Sequence, residues 1–235
     1  MTDTWNVLAH GPIEPLAENL WRVEGSLRRM SLKRVMTAAR RTDGGLVVHS
    51  AVAMNEPEMA ALDALGPIAY LLVPNGLHRL DAPAYKRRYP ALKVYAPRGS
   101  VKKVAQVVPV EGTYDEFPAD DVVSLATLAG TGEREGAMSV RSQDGVTLVL
   151  NDVVMNMDTK TDVLGWMFTT VFGSAPGPRV SRLVKLALVD DRAALRAELL
   201  RYADIRDLVR LVVSHEKVSH GAGAAATLRQ AATFL

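Results

Sequence analysis

The 235-residue chain predicts an α/β protein in which two mixed β-sheets lie face to face with helices outside. Three observations carry that reading. Each half opens on a hairpin, turned by "TDGG" at Thr42 to Gly45 in the first and by "DG" at Asp144-Gly145 in the second. Each half then continues in strand–helix alternation, which demands crossovers and neighbouring parallel strands. Several strands, such as Ile68 to Val73 and Val146 to Leu150, are almost wholly apolar, as strands covered on both faces are.

The elements follow in order. Leu20 to Glu24 and Leu32 to Arg41 read as pairing strands, with "LRRMSLKR" (Leu27 to Arg34) at the hairpin tip, and Leu46 to His49 as the next strand. Asn55 caps a helix with Pro57 in its first turn; Met59, Leu62 and Leu65 share a face, and Gly66 ends it. After the strand Ile68 to Val73, "DAPAYKRRYP" forms a short helix stopped before Pro90. Lys93 to Ala96 is a strand, "RGSVKKVAQVV" is helical, and Val122 to Leu128 is a strand. Ala137 to Gln143 and Val146 to Leu150 make the second hairpin. Arg179 to Leu188 and Asp191 to Tyr202 read as helices, Leu208 to Val213 as the last buried strand, and "AGAAATLRQAATFL" as the closing helix. Thr159 to Gly177 reads as a long connection. No linker divides residues 1–235, so one domain is expected.

Composition narrows the chemistry. There is no cysteine, which excludes disulfides and thiolate zinc sites; a metal must be held by His, Asp, Glu, backbone or water. The net charge of +2 gives no push toward nucleic acid. "YKRRYP" and the hairpin tip are basic, but solvated faces explain such runs more simply. The N-terminus has no secretory pattern, and "VLGWMFTTVFG" is too short to span a bilayer, so a cytoplasmic protein is expected. "GTGERE" lacks the Gly-Lys-Ser/Thr ending of a phosphate loop, and no Ser sits in a Gly-x-Ser-x-Gly elbow.

Polar groups gather behind three strand ends, where α/β folds place ligands. Ile68 to Val73 leads to Asn75, His78 and Asp81; Val146 to Leu150 leads to Asn151, Asp152 and Asp158; Leu208 to Val213 leads to His215, Glu216 and His220. Brought to one edge, such imidazoles and carboxylates suit zinc or another divalent metal. The plainer readings stand beside this one. Asp81 precedes a helix and suits an N-cap, Asp152 suits a structural pair, and His220 a cap or surface position. His10 and His49 have no partner in sequence and are read as non-catalytic.

"DGGLVVHS", "YLLVPNGLHRLDAPAYKRRYPALKVYAP", "VTLVLNDVVMN" and "LVRLVVSHEKVSHG", in this order, resemble a metallo-β-lactamase-fold protein. More narrowly they resemble a bacterial branch in which a Pro-Asn loop followed by His replaces the first metal motif. The resemblance implies an αββα sandwich and hydrolysis of an ester, thioester, lactam or phosphodiester by metal-activated water. The family's His-x-His-x-Asp-His gives way here to "PNGLHRLD", and no His occurs between His78 and His215. Asp152 matches the family's bridging Asp and His215 its last His. The resemblance thus implies one divalent ion, zinc before iron or manganese, on His78, Asp152 and His215. Asp81 would be a further ligand or the general base, and Asn75, Trp166 and Phe168 would line a pocket for a small-molecule substrate. The aromatic patch also suits a membrane surface, core packing or a homodimer contact. The alternative is a metal-free, non-catalytic member of the fold that binds a small molecule or a protein.

Overall fold

The computed structural model describes residues 5–235. The first half builds a seven-stranded sheet in the order β1 to β7: β1 (Glu14–Ala17), β2 (Leu20–Leu27), β3 (Met30–Arg40), β4 (Leu46–His49), β5 (Ile68–Leu72), β6 (Lys93–Ala96) and β7 (Gly112–Thr113). Its first four strands pair antiparallel, and from β4 onward the pairing is parallel. The crossovers carry α1 (Glu56–Ala64), α2 (Ala82–Arg88) and a single turn, α3 (Val101–Val104). Asn55 caps α1 by accepting from the Glu58 N–H.

The second half builds a five-stranded sheet from β8 (Val123–Thr127), β9 (Gly136–Ser142) and β10 (Gly145–Val149). Beyond these come a small pair, β11 (Met155–Met157) and β12 (Gly177–Arg179), and then β13 (Leu208–Val212) and β14 (Ser219–His220). The order is β14-β13-β10-β9-β8, and only β10 and β13 run parallel. Its helices are α4 (Val163–Trp166), α5 (Arg182–Ala187), α6 (Arg192–Ala203) and α7 (Ala222–Ala232).

Strand parity sorts the side chains into layers. On β4, Val47 joins the cluster between the sheets, with Leu20, Val35, Leu72, Met138, Val149 and Val212. Its neighbours Leu46 and Val48 join the cluster under α1 and α2, with Met59, Leu62 and Tyr85. On the other side, Leu148, Leu150, Leu211 and Val213 pack with Leu195, Leu199 and Leu228 of α6 and α7. Helix, sheet, sheet, helix is the predicted sandwich.

Two expectations need correction. Arg179 lies in β12 rather than a helix, because Pro178 and Gly177 pair with β11, and α5 starts only after Ser181 caps it. Residues 159–177 are not bare connection: they hold α4 and a π-helical turn, Met167–Val171. Leu65, partly buried at the C-cap of α1, packs against the cluster that holds Met59 and Leu62, as expected. Among the described residues no helix is long and apolar enough to cross a membrane.

Candidate functional site

The parallel strands deliver their C-terminal ends to one place. Two backbone bonds fasten the sheets together there: Val35 N–H donates to the Ser214 carbonyl (2.8 Å) and Gly136 N–H to the Pro74 carbonyl (3.3 Å). The loops after β5, β10 and β13 supply His78, Asp152 and His215, whose ligand atoms all lie within 4.8 Å of one another. Asp152 Oδ1 is 3.0 Å from His78 Nε2 and 3.4 Å from His215 Nε2.

The far side of each group is fixed. His215 Nδ1 lies 2.6 Å from the Lys33 carbonyl. A carbonyl only accepts, so Nδ1 carries the proton, and in the neutral ring Nε2 presents a lone pair to the cluster. His78 Nδ1 lies 3.0 Å from Ser50 Oγ. Ser50 itself has a φ of 56°, a left-handed conformation rare for a non-glycine residue. Asp152 Oδ2 accepts from Asn75 Nδ2 at 2.7 Å, and Asn75 Oδ1 accepts from the N–H groups of Leu77 and His78. One asparagine therefore anchors both the carboxylate and the loop that carries His78.

No protein-family model and no curated sequence matches the chain. Solved structures do. The metallo-β-lactamase FIM-1 from Pseudomonas aeruginosa, in a mono-zinc form, superposes with a TM-score of 0.61 over 98% of both chains at 11% identity. The DIM-1 metallo-β-lactamase, from a crystal exposed to ceftazidime, gives 0.64 over 97% of this chain and 98% of its own at 12% identity. The chain has the metallo-β-lactamase fold. At these identities the likeness speaks for the fold alone.

Within this metallo-β-lactamase fold the predicted residues part company. Asp81 is not brought to the cluster. It is buried, and its Oδ2 accepts from the Arg34 guanidinium and from the Ala53 N–H, 2.9 Å away. Nor does its side chain cap α2, at whose N-terminus it stands. Asn75 is fully buried behind Asp152 and does not line the cavity beside the cluster. Trp166 is 50% exposed and lies outside the cavity beside the cluster. Phe168 does line that cavity, with its ring 6.1 Å from that of His215.

The residue missed by sequence reasoning is Glu135, the last acidic residue of "GTGERE", which is 0% exposed. Its Oε1 accepts from the Asp152 N–H and its Oε2 from Asn75 Nδ2, both at 2.7 Å. Both N–H bonds of the Asn75 amide are thus spent on two neighbouring carboxylates. Burial first, and then the Asp152 carboxylate, push the Glu135 carboxyl well above its usual range. Burial alone would also raise Asp152, but the imidazoles of His78 and His215 outweigh it and hold that carboxyl well below its usual range.

His49, at the end of β4, is buried, and neither ring nitrogen has a hydrogen-bond partner among the described residues. Burial, and then the nearby His78, lower its pKa from 6.5 to about 3. The folded state therefore excludes a proton that the unfolded chain accepts below about pH 6.5, so this share of stability is present above that pH and lost below it. Going from pH 7.5 to 5 in the presence of chelator should cost about 2 kcal/mol from this group. Urea unfolding of the wild type and His49→Leu at both pH values checks it; an equal pH slope in the two proteins would count against it.

Proposed function

We infer that the protein is a metal-dependent hydrolase that uses one divalent ion. A single observation carries the reading: two imidazole nitrogens and a carboxylate oxygen converge within 4.8 Å of one another. With its Nδ1 proton committed to Lys33, His215 turns Nε2 toward the Asp152 carboxylate 3.4 Å away, and His78 Nε2 lies 3.0 Å from the same oxygen. When both Nε2 atoms are unprotonated, the three groups are acceptors facing one another in a buried site, which a cation between them would satisfy. The spacing suits one, since ligand atoms about 2.0–2.1 Å from a tetrahedral zinc lie about 3.3 Å from one another. His78 Nε2, His215 Nε2 and Asp152 Oδ1 would hold the ion and leave a position open, as catalytic zinc sites with three protein ligands do. Two imidazoles and a carboxylate suit zinc, with iron(II) the rival. When bound, such an ion polarises a carbonyl or phosphoryl oxygen and acidifies water.

The chain's own groups do the positioning. The Lys33 carbonyl and Ser50 Oγ aim the two imidazoles, and Asn75 aims the carboxylate. Glu135 in turn fixes Asn75 and the backbone of Asp152. Partners that orient metal ligands in this way raise metal affinity by about 10–100-fold. Glu135→Gln would set an amide N–H against a donor that now points at a carboxylate oxygen. It should lose metal to a competing chelator about 10–100-fold more readily than the wild type. Equal retention would remove Glu135 from the positioning set.

The test of the reading is elemental analysis of protein purified without chelator or affinity metal, followed by ester, thioester, lactam and phosphodiester panels. About one equivalent of metal, with hydrolysis that chelator abolishes, is expected. A protein that takes up no divalent ion even on incubation would sink the hydrolase and leave a metal-free binding protein.

A further inference from the structure

We propose that this site takes a neutral substrate carrying a short, flexible apolar chain, such as a medium-chain acyl ester, and discriminates against anionic ones. The proposal rests on the hydrolase reading for the reaction but not for the binding.

A cavity of about 240 Å³ opens directly onto His78, Asp152 and His215. That is room for about eight water-sized groups, below the drug-sized range, and so for a single chain rather than a ring system. Its walls come from separated elements: Leu27 and Leu32 from the β2–β3 hairpin, Met155 from β11, Phe168 from the π-helical turn, and Leu188 beyond α5. At its edge, Leu77 and Leu80 of the His78 loop are 63% and 44% exposed. Exposed leucines beside a cavity mouth add apolar surface that a bound chain would cover.

Apart from the cluster, the polar lining groups are Arg34 and Ser50. Neither carries an uncompensated charge. The Arg34 guanidinium is ion-paired with Asp81 and also donates to the Ala51 carbonyl, which leaves only its Nε without a partner among the described residues, and Ser50 Oγ is engaged with His78. A carboxylate or phosphate in the cavity would lose its hydration and meet no unpaired cation on the walls. A carbonyl on an alkyl chain loses little, and its chain gains the apolar wall. Hydrolysis of such an ester adds one water across the acyl C–O bond. The hydroxyl goes to the acyl carbon and the proton to the departing alcohol.

The binding test uses the full chain with methyl-labelled methionine, held in chelator so that no metal recruits carboxylates. Met30 and Met155 line the cavity and report on it. Hexanamide should shift both methyl resonances saturably, and hexanoate should bind at least about 10-fold more weakly. Ala187 lies on the exposed face of α5 at the cavity wall, so Ala187→Trp should fill the space without disturbing the core and abolish the shifts. Hexanoate binding as tightly as hexanamide would overturn the proposal, and so would hexanamide shifts that leave Met30 and Met155 unmoved. Each methylene is worth about fourfold, so metal-loaded enzyme should cleave 4-nitrophenyl hexanoate at least about 10-fold faster in kcat/KM than the acetate. Amide binding without any hydrolysis would fail the hydrolase reading and keep this one. Hydrolysis that favours acetate or a phosphodiester would do the reverse.

Discussion

Asp152→Asn should lose its metal and its hydrolytic activity together while keeping its fold. The asparagine oxygen can still accept from Asn75 Nδ2 in place of Asp152 Oδ2. Its amide group then turns toward His78 Nε2 and His215 Nε2, where Asp152 Oδ1 now lies 3.0 and 3.4 Å away. An N–H donor there can pair with an unprotonated imidazole Nε2 in place of a cation. The anionic ligand is gone and the site is internally paired. Metal content should fall from about one equivalent to under about a tenth, and kcat/KM by at least about 100-fold, more than the loss of a supporting partner causes. In chelator the variant should melt no lower than the wild type, since a buried charge has been replaced by a neutral group with partners. His215→Ala should also lose metal, but it strands the Lys33 carbonyl and should melt lower. Metal retained by Asp152→Asn would show that this carboxylate is not a ligand.

That the three residues meet was legible because of where each stands. His78, Asp152 and His215 all follow short apolar strands, and parallel strands carry their C-terminal ends to the same edge. β4, β5, β10 and β13 could be read because apolar runs bounded by turn signals are local features. Glu135 was not legible for the opposite reason. It sits in a turn crowded with charge and glycine, and its partners Asn75 and Asp152 are 60 and 17 residues away. Its one local signal is that it directly precedes the buried start of β9. Residues 163–171 escaped because Val163, Trp166 and Met167 are exposed while Gly165 and Thr169 are buried, which reverses the pattern from which helix faces are read. Asp81 was misplaced because a carboxylate three residues past a histidine looks like a ligand until its cation is known. That cation, Arg34, lies 47 residues earlier, at the end of the basic run Leu27 to Arg34 that reads as a solvated hairpin tip.

The Arg34–Asp81 pair gives the largest expected stability change. Both side chains are buried, at 7% and 10% exposure. Asp81→Ala would leave a guanidinium inside the protein with only the Ala51 carbonyl for company and strip the Ala53 N–H of its acceptor. Removing one partner of a buried pair costs about 3–5 kcal/mol. For a chain of this size that is a fall in Tm of about 10 °C. Replacing both, as Arg34→Leu with Asp81→Ala, should recover part of the loss, because no charge is then buried unpaired. Asp81→Asn, which can still accept from Ala53, should fall between. The same variants separate two roles for this carboxylate. A purely structural Asp81 predicts that Asp81→Asn binds metal as the wild type does while melting lower. Metal loss at unchanged stability would instead make Asp81 part of the centre, and would require the loop from His78 to Asp81 to rearrange when the ion binds.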